Sequence, residues 1–197
     1  MNLKLFFIVI LVLQLSACTK NKDKKVTSSV SIEKEISNTV YSYFESGSND
    51  GVLSVPENYR EWDFLGAWSI SGENGAAGIH NVYASPGSVS YYQKNKSFPD
   101  GCILVKELMN TYTEPLSTGL VSRANENEGW FVMVKDTKNR YPDNPLWGDG
   151  WGWSFFEAGN MSKTVSLDYK ANCIACHVPA EKDDWIYVDG YPVLKLE

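Results

Sequence analysis

Cys173 and Cys176 stand three positions apart with His177 directly after the second, inside Asn172-Cys173-Ile174-Ala175-Cys176-His177-Val178-Pro179. Two thiols at this spacing can each add to one vinyl group of a haem, and a histidine in the next position is placed to ligate the iron from the proximal side. The spacing therefore predicts one covalent haem c, with His177 as the metal ligand. With four cysteines and two histidines in 197 residues, chance would produce this arrangement in roughly one sequence in a thousand. Two other chemistries use the same residue types. A zinc site could be built from Cys102, Cys173, Cys176 and His80, but it needs every remaining thiol and imidazole of the folded body to converge. A thioredoxin-like redox pair calls for an alternating strand and helix pattern that does not surround this motif.

A haem c attachment resembles chemistry done outside the inner membrane, and the start of the chain agrees. Lys4 precedes an unbroken apolar run, Leu5 to Leu13, too short to span a bilayer as a mature helix. Residues 1–17 thus read as an export signal. Leu15-Ser16-Ala17-Cys18 resembles the lipobox of bacterial lipoproteins, which predicts lipidation of Cys18; an ordinary secretory signal with a stray cysteine is the alternative. Thr19 in the next position suggests sorting to the outer membrane. The stretch 18–31 carries Lys20, Lys22, Lys24 and Lys25 among serines and reads as a flexible tether, since it cannot bury enough apolar surface to order itself. Its lysines could also touch anionic headgroups.

Loss of residues 1–17 removes one lysine and takes the formal charge from −6 to −7; the tether carries four lysines against Asp23, which leaves about −10 on the remainder. An acidic body argues against nucleic acid as a partner.

The remainder, 32–197, reads as one haem domain of class α+β, a mainly antiparallel sheet with flanking helices. Ile32, Ile36, Val40, Tyr43 and Phe44 recur at helical spacing behind Ser31, and Pro56 opens a short helix over Glu57 to Trp62. Strands are expected over Ala67–Ser71, His80–Ala84, Ile103–Leu108, Trp130–Lys135, Trp151–Phe156 and Trp185–Val188, with a short helix over Ser88–Lys94. Pro-Gly, Pro-Asp-Gly and Gly-Asp-Gly clusters separate several of them. The aromatic stretches Gly129–Phe131 and Trp147–Phe156 are ordinary core material, some of which should also line a haem pocket.

Asn58-Tyr59-Arg60-Glu61-Trp62, Phe98-Pro99-Asp100-Gly101, Val105-Lys106-Glu107-Leu108, Met133-Val134-Lys135-Asp136, the Cys173–His177 motif and Tyr191-Pro192-Val193-Leu194 occur in that order. Together they resemble the cytochrome P-460 family from about Val55 onward. The resemblance implies a sheet-rich, often homodimeric, periplasmic c-type haem protein with an open iron site. It also implies small nitrogen ligands and a periplasmic electron-transfer partner. Two activities occur in the family. Cytochromes P-460 proper oxidise hydroxylamine and carry a lysine cross-linked to the haem, whereas cytochromes c′-beta lack that bond and bind gases such as nitric oxide.

Lys106 aligns with the cross-linking lysine. Independently, period-two alternation on a strand from Cys102 to Leu108 puts Lys106 on the apolar side with Cys102 and Leu104, where desolvation favours the neutral, nucleophilic amine. The alternative is a lysine whose stem packs on apolar surface while its ammonium reaches a propionate or Glu107. Oxidation of hydroxylamine also needs a distal base, which active members supply as a carboxylate. The strand that would carry it reads Trp130-Phe131-Val132-Met133, so Phe131 is placed to cap the iron and Glu157 is the substitute candidate for the acid. His80 is read as a structural or surface histidine, Met133 as core rather than a sixth ligand, and Cys102 as a buried reduced thiol.

Two functions therefore stand open: a hydroxylamine-oxidising haem oxidoreductase, and a non-catalytic haem module that binds nitric oxide or passes electrons.

Overall fold

Alternation along two central strands decides the architecture. In β3 (Ile103–Leu116), Ile103, Val105 and Glu107 point to one side and Leu104 and Lys106 to the other; in β4 (Gly119–Lys135), Trp130, Val132 and Val134 oppose Phe131 and Met133. Both sides are apolar over this stretch, so both must be covered, and each large side chain buried there contributes about 1.5–3 kcal/mol.

The computed structural model describes residues 40–45 and 50–196. The expected export signal, Cys18, the tether and the first-helix positions 32–39 lie outside the described residues. β1 (Asp63–Gly72), β2 (Gly75–Ala84), β3, β4, β5 (Trp147–Gly148) and β6 (Trp151–Glu157) form one antiparallel sheet in the order β1-β2-β3-β4-β6-β5. One face packs under Tyr43, Leu53, Val55, Tyr59 and Trp62 of the preceding segment. The other packs under helix α1 (Ser88–Asn95), Phe98, the segment carrying Cys173, and the C-terminal turns with Ile186, Tyr191 and Leu194.

The α+β class, with a mainly antiparallel sheet and flanking helices, holds. Several boundaries do not. The described end of the first expected helix is a 3-10 turn, Tyr43–Glu45, and the expected helix over Glu57–Trp62 shortens to the 3-10 turn Tyr59–Glu61. β3 and β4 run past Leu108 and begin before Trp130 respectively, as a hairpin joined through Ser117 and Thr118. Register shifts between Leu108 and Thr111 mark where the pair leaves the core. Beyond them much of both strands is exposed, so the sequence alternation that betrays a half-buried strand fades. The expected strand Trp185–Val188 is not a strand. Asp184 and Trp185 have φ of 60° and 68°, which no strand accommodates, and Val188–Gly190 is a 3-10 turn.

Candidate functional site

The turn leading into the Cys-x-x-Cys-His segment is tied at its start. Asp168 Oδ1 accepts hydrogen bonds from the amides of Lys170 (2.7 Å) and Ala171 (3.3 Å), while Asn172 Oδ1 accepts from those of Leu167 (3.0 Å) and Asp168 (3.2 Å). Lys170–Ile174 is wound as a π-helix and passes into the α-helical Ala175–His177, a widened turn of the kind often found at functional sites. Tyr169 seats the segment on the sheet: its ring stacks on Trp153 at 6.0 Å and 14°. A Cβ on Gly148 would come within 2.3 Å of the Tyr169 hydroxyl, so only glycine permits this approach.

Between this helix and the sheet lies a cavity of about 140 Å³. Cys173, Cys176 and His177 line it from the helix, and Lys106, Phe131, Met133 and Trp153 from β3, β4 and β6. The register explains the company. Lys106 pairs with Phe131 and Phe131 with Phe155, while one row over Leu104 pairs with Met133 and Met133 with Trp153. Cys173 is buried and Cys176 exposed; burial, together with the charges of Cys176 and Asp168, pushes the Cys173 thiol up to about 11.

His177 is oriented by the chain itself. Its Nδ1 lies 2.6 Å from the carbonyl oxygen of Trp185, which can only accept, so Nδ1 carries the proton and Nε2 keeps its lone pair. The ring meets Trp153 edge to face at 5.0 Å. Burial lowers the basicity of the imidazole, the Trp185 bond opposes this, and Lys106 adds to it.

Lys106 is half-buried and its Nζ stands 4.9 Å from the centre of the Phe131 ring. Burial lowers its amine from the ordinary lysine value, with the neighbouring Cys176 working the other way. Its sequence neighbour Glu107 faces the opposite side of the sheet, so the expected alternative of a Lys106–Glu107 pair is not formed.

The donor set fits a haem. Two thiols at helical i and i+3 positions, an imidazole with Nε2 free, and apolar walls from Phe131, Met133 and Trp153 are what such a group requires. Among the described residues no three of His, Cys, Asp and Glu gather as a metal cage, and Cys102 lies fully buried with Ser85 and Ser88 as side-chain partners, its thiol pushed up to about 12 by burial. The zinc reading therefore has no geometry behind it.

Glu157 and His80 are not brought to the cavity wall. Glu157 sits exposed at the end of β6, opposite Gly129. His80 lies on β2 opposite Leu108, half-buried, its basicity lowered by burial and by the charge of Lys106. The residue that sequence reasoning missed is Trp185, which acts through a backbone carbonyl and so has no signature in residue type.

An antiparallel sheet that holds a helical Cys-x-x-Cys-His segment over a half-buried lysine and an apolar wall defines a small haem-binding cytochrome. A family model for Cytochrome P460 matches residues 56–188, and the chain belongs to that family. No curated protein matches the chain at a significant level.

Proposed function

We propose that the protein is an exported mono-haem c-type cytochrome that binds small nitrogen ligands, nitric oxide and hydroxylamine, at an open iron position. In attachment, the sulfur of Cys173 and of Cys176 each bonds to one carbon of a vinyl group and the thiol hydrogen goes to the other, so no oxidant is needed. The iron, when bound, supplies the site for the nitrogen ligand. His177 Nε2 is the protein donor to it, Trp153 and Met133 keep water from that region, and Phe131 beside Lys106 restricts the ligand to a small one.

The observation that carries the reading is the convergence of both thiols, His177, Lys106 and Phe131 on one cavity. No carboxylate stands among the residues that line it, which favours ligand binding over fast oxidation, since a missing general base typically costs roughly 10² to 10⁴ in rate. A specific observation favours the catalytic reading as well: burial lowers the Lys106 amine from the ordinary lysine value and it has no carboxylate partner among the described residues, which favours the neutral, nucleophilic form. This second reading lacks its base in the cavity, since Glu157 stands exposed at the end of β6 and not among the lining residues.

The two separate by experiment. The ligand-binding reading expects a five-coordinate ferric haem, an ordinary haem c spectrum in the ferrous state, stoichiometric nitric oxide binding and slow hydroxylamine turnover with an artificial acceptor. A ferrous band at longer wavelength, with one haem peptide containing both Lys106 and Cys173, would replace it with the hydroxylamine-oxidising reading. A six-coordinate low-spin iron would defeat both. We further propose that Cys18 is acylated and holds the protein on the outer membrane; Cys18→Ser should release it to the soluble periplasmic fraction.

A further inference from the structure

Asp184 and Trp185 are consecutive non-glycine residues in the left-handed region, with φ of 60° and 68°. Asp184 ends the 3-10 turn Val178–Asp183 in this conformation as its C-cap, but a bulky tryptophan that follows it at positive φ is a genuine outlier. Two such residues side by side persist only where their surroundings over-determine them, and such strain concentrates at functional sites.

The surroundings are specific. Lys135, at the end of β4 and 8% exposed, donates from Nζ to Asp184 Oδ1 at 2.7 Å. The fully buried Trp151 of β6 donates from its indole to the Asp184 backbone carbonyl at 3.0 Å and to Asp184 Oδ1 at 3.3 Å. Lys135 Nζ also lies 4.8 Å from the Trp151 ring centre. The Trp185 amide donates to the Ala180 carbonyl at 2.9 Å. Two sheet residues thus clamp Asp184 from both its side chain and its backbone, and the next carbonyl along, that of Trp185, is the one that accepts from His177 Nδ1.

We propose that Lys135 and Asp184 are positioning residues for the proximal histidine: their ion pair, with the Trp151 indole, holds the left-handed turn that aims the Trp185 carbonyl at Nδ1. The inference rests on the functional reading above, in which His177 ligates the iron. A hydrogen bond to the far nitrogen makes a ligating imidazole a stronger donor, and such supports tune potential and affinity without touching the metal. A slackened turn weakens the bond. The histidine then becomes a weaker donor and the ferric state loses its advantage.

The test uses the haem-loaded full chain with Lys135→Met, which keeps the packed stem and removes the charge, and Asp184→Asn, which removes the charge from the other side. Lys135→Arg restores a cation. Resonance Raman of the ferrous protein reads the iron–histidine stretch, and redox titration reads the midpoint potential. Lys135→Met and Asp184→Asn should both lower the stretching frequency and raise the potential, while Lys135→Arg stays near wild type. If Asp184→Asn, which strands the nearly buried Lys135 cation, fails to fold, Lys135→Met carries the test, since the carboxylate it leaves behind is one-third exposed. Folded variants with wild-type frequency and potential would overturn the positioning role while leaving the functional reading intact. A wild-type protein with no iron–histidine band would overturn the functional reading and this inference with it.

Discussion

Lys106 and Glu107 are consecutive on β3, and alternation sends them to opposite sides of the sheet with opposite fates. Glu107, 2% exposed, accepts from the Tyr59 hydroxyl at 2.6 Å, from Arg60 Nε at 3.0 Å and also from its terminal nitrogen, and from Asn81 at 3.3 Å. Tyr59 in turn accepts from the Trp130 indole at 2.9 Å. Burial alone would raise the Glu107 carboxyl, yet these donors hold it below its ordinary value. Lys106, one residue earlier, meets the face of Phe131 and no carboxylate among the described residues. The contrast separates a charge the fold requires from one it tolerates. A buried carboxylate with a full set of donors is a structural part, whereas a half-buried amine beside two thiols and an imidazole is a candidate functional group.

That comparison breaks if the two residues respond alike to removal. The largest effect on stability is expected from Glu107→Ala, which leaves the Tyr59 hydroxyl and Asn81 amide without their acceptor; urea denaturation should register a loss of about 3 kcal/mol. A change near zero would mean that the network is ornamental.

The next effect concerns acid. Burial would raise the Asp100 carboxyl, but hydrogen bonds from the Arg140 guanidinium and from Thr137 outweigh it and hold the group down to about 2, against 3.8 unperturbed. A carboxyl whose folded value is depressed contributes stability that is present above its unfolded value and is lost as pH falls through the folded one. Melting temperature should therefore drop between about pH 4 and pH 2, and Asp100→Asn should flatten that part of the curve. An unchanged slope in the variant would remove Asp100 from the acid response.

The smallest effect on stability is expected from Lys106→Met. The exchange keeps the volume and removes a half-desolvated cation that has no carboxylate partner among the described residues, so unfolding stability should change by less than about 1 kcal/mol. A loss as large as that for Glu107→Ala would make Lys106 a structural lysine and erase the contrast.

How much of this was legible in the sequence follows the physics of each part. The central strands, the side of the sheet that Lys106 occupies and the grouping of Cys173, Cys176 and His177 on one cavity rest on periodicity or on residue type, and both survive folding unchanged. The outer half of the β3–β4 hairpin did not show, because a strand with neither face consistently buried has no alternation to display. The Asp184–Trp185 turn did not show either. Trp185, Ile186 and Val188 look like strand residues, and contacts from Lys135 and Trp151, together with local bonds from the Asp184 and Trp185 amides to the Glu181 and Ala180 carbonyls, hold the chain in a left-handed turn there. The expected assignment of Glu157 rested on its proximity in sequence to aromatic residues, whereas the register leaves it opposite Gly129 at the exposed strand end.

The central claim is that Cys173 and Cys176 hold a haem covalently under His177. Denatured, purified protein should be treated with acid acetone and its polypeptide weighed by mass spectrometry, for wild type and for the Cys173→Ala/Cys176→Ala double variant. The account predicts that one haem stays with the wild-type chain through denaturation and that the double variant carries none. Haem that extracts freely from the wild type, or a wild-type chain that holds zinc and no iron, would contradict it.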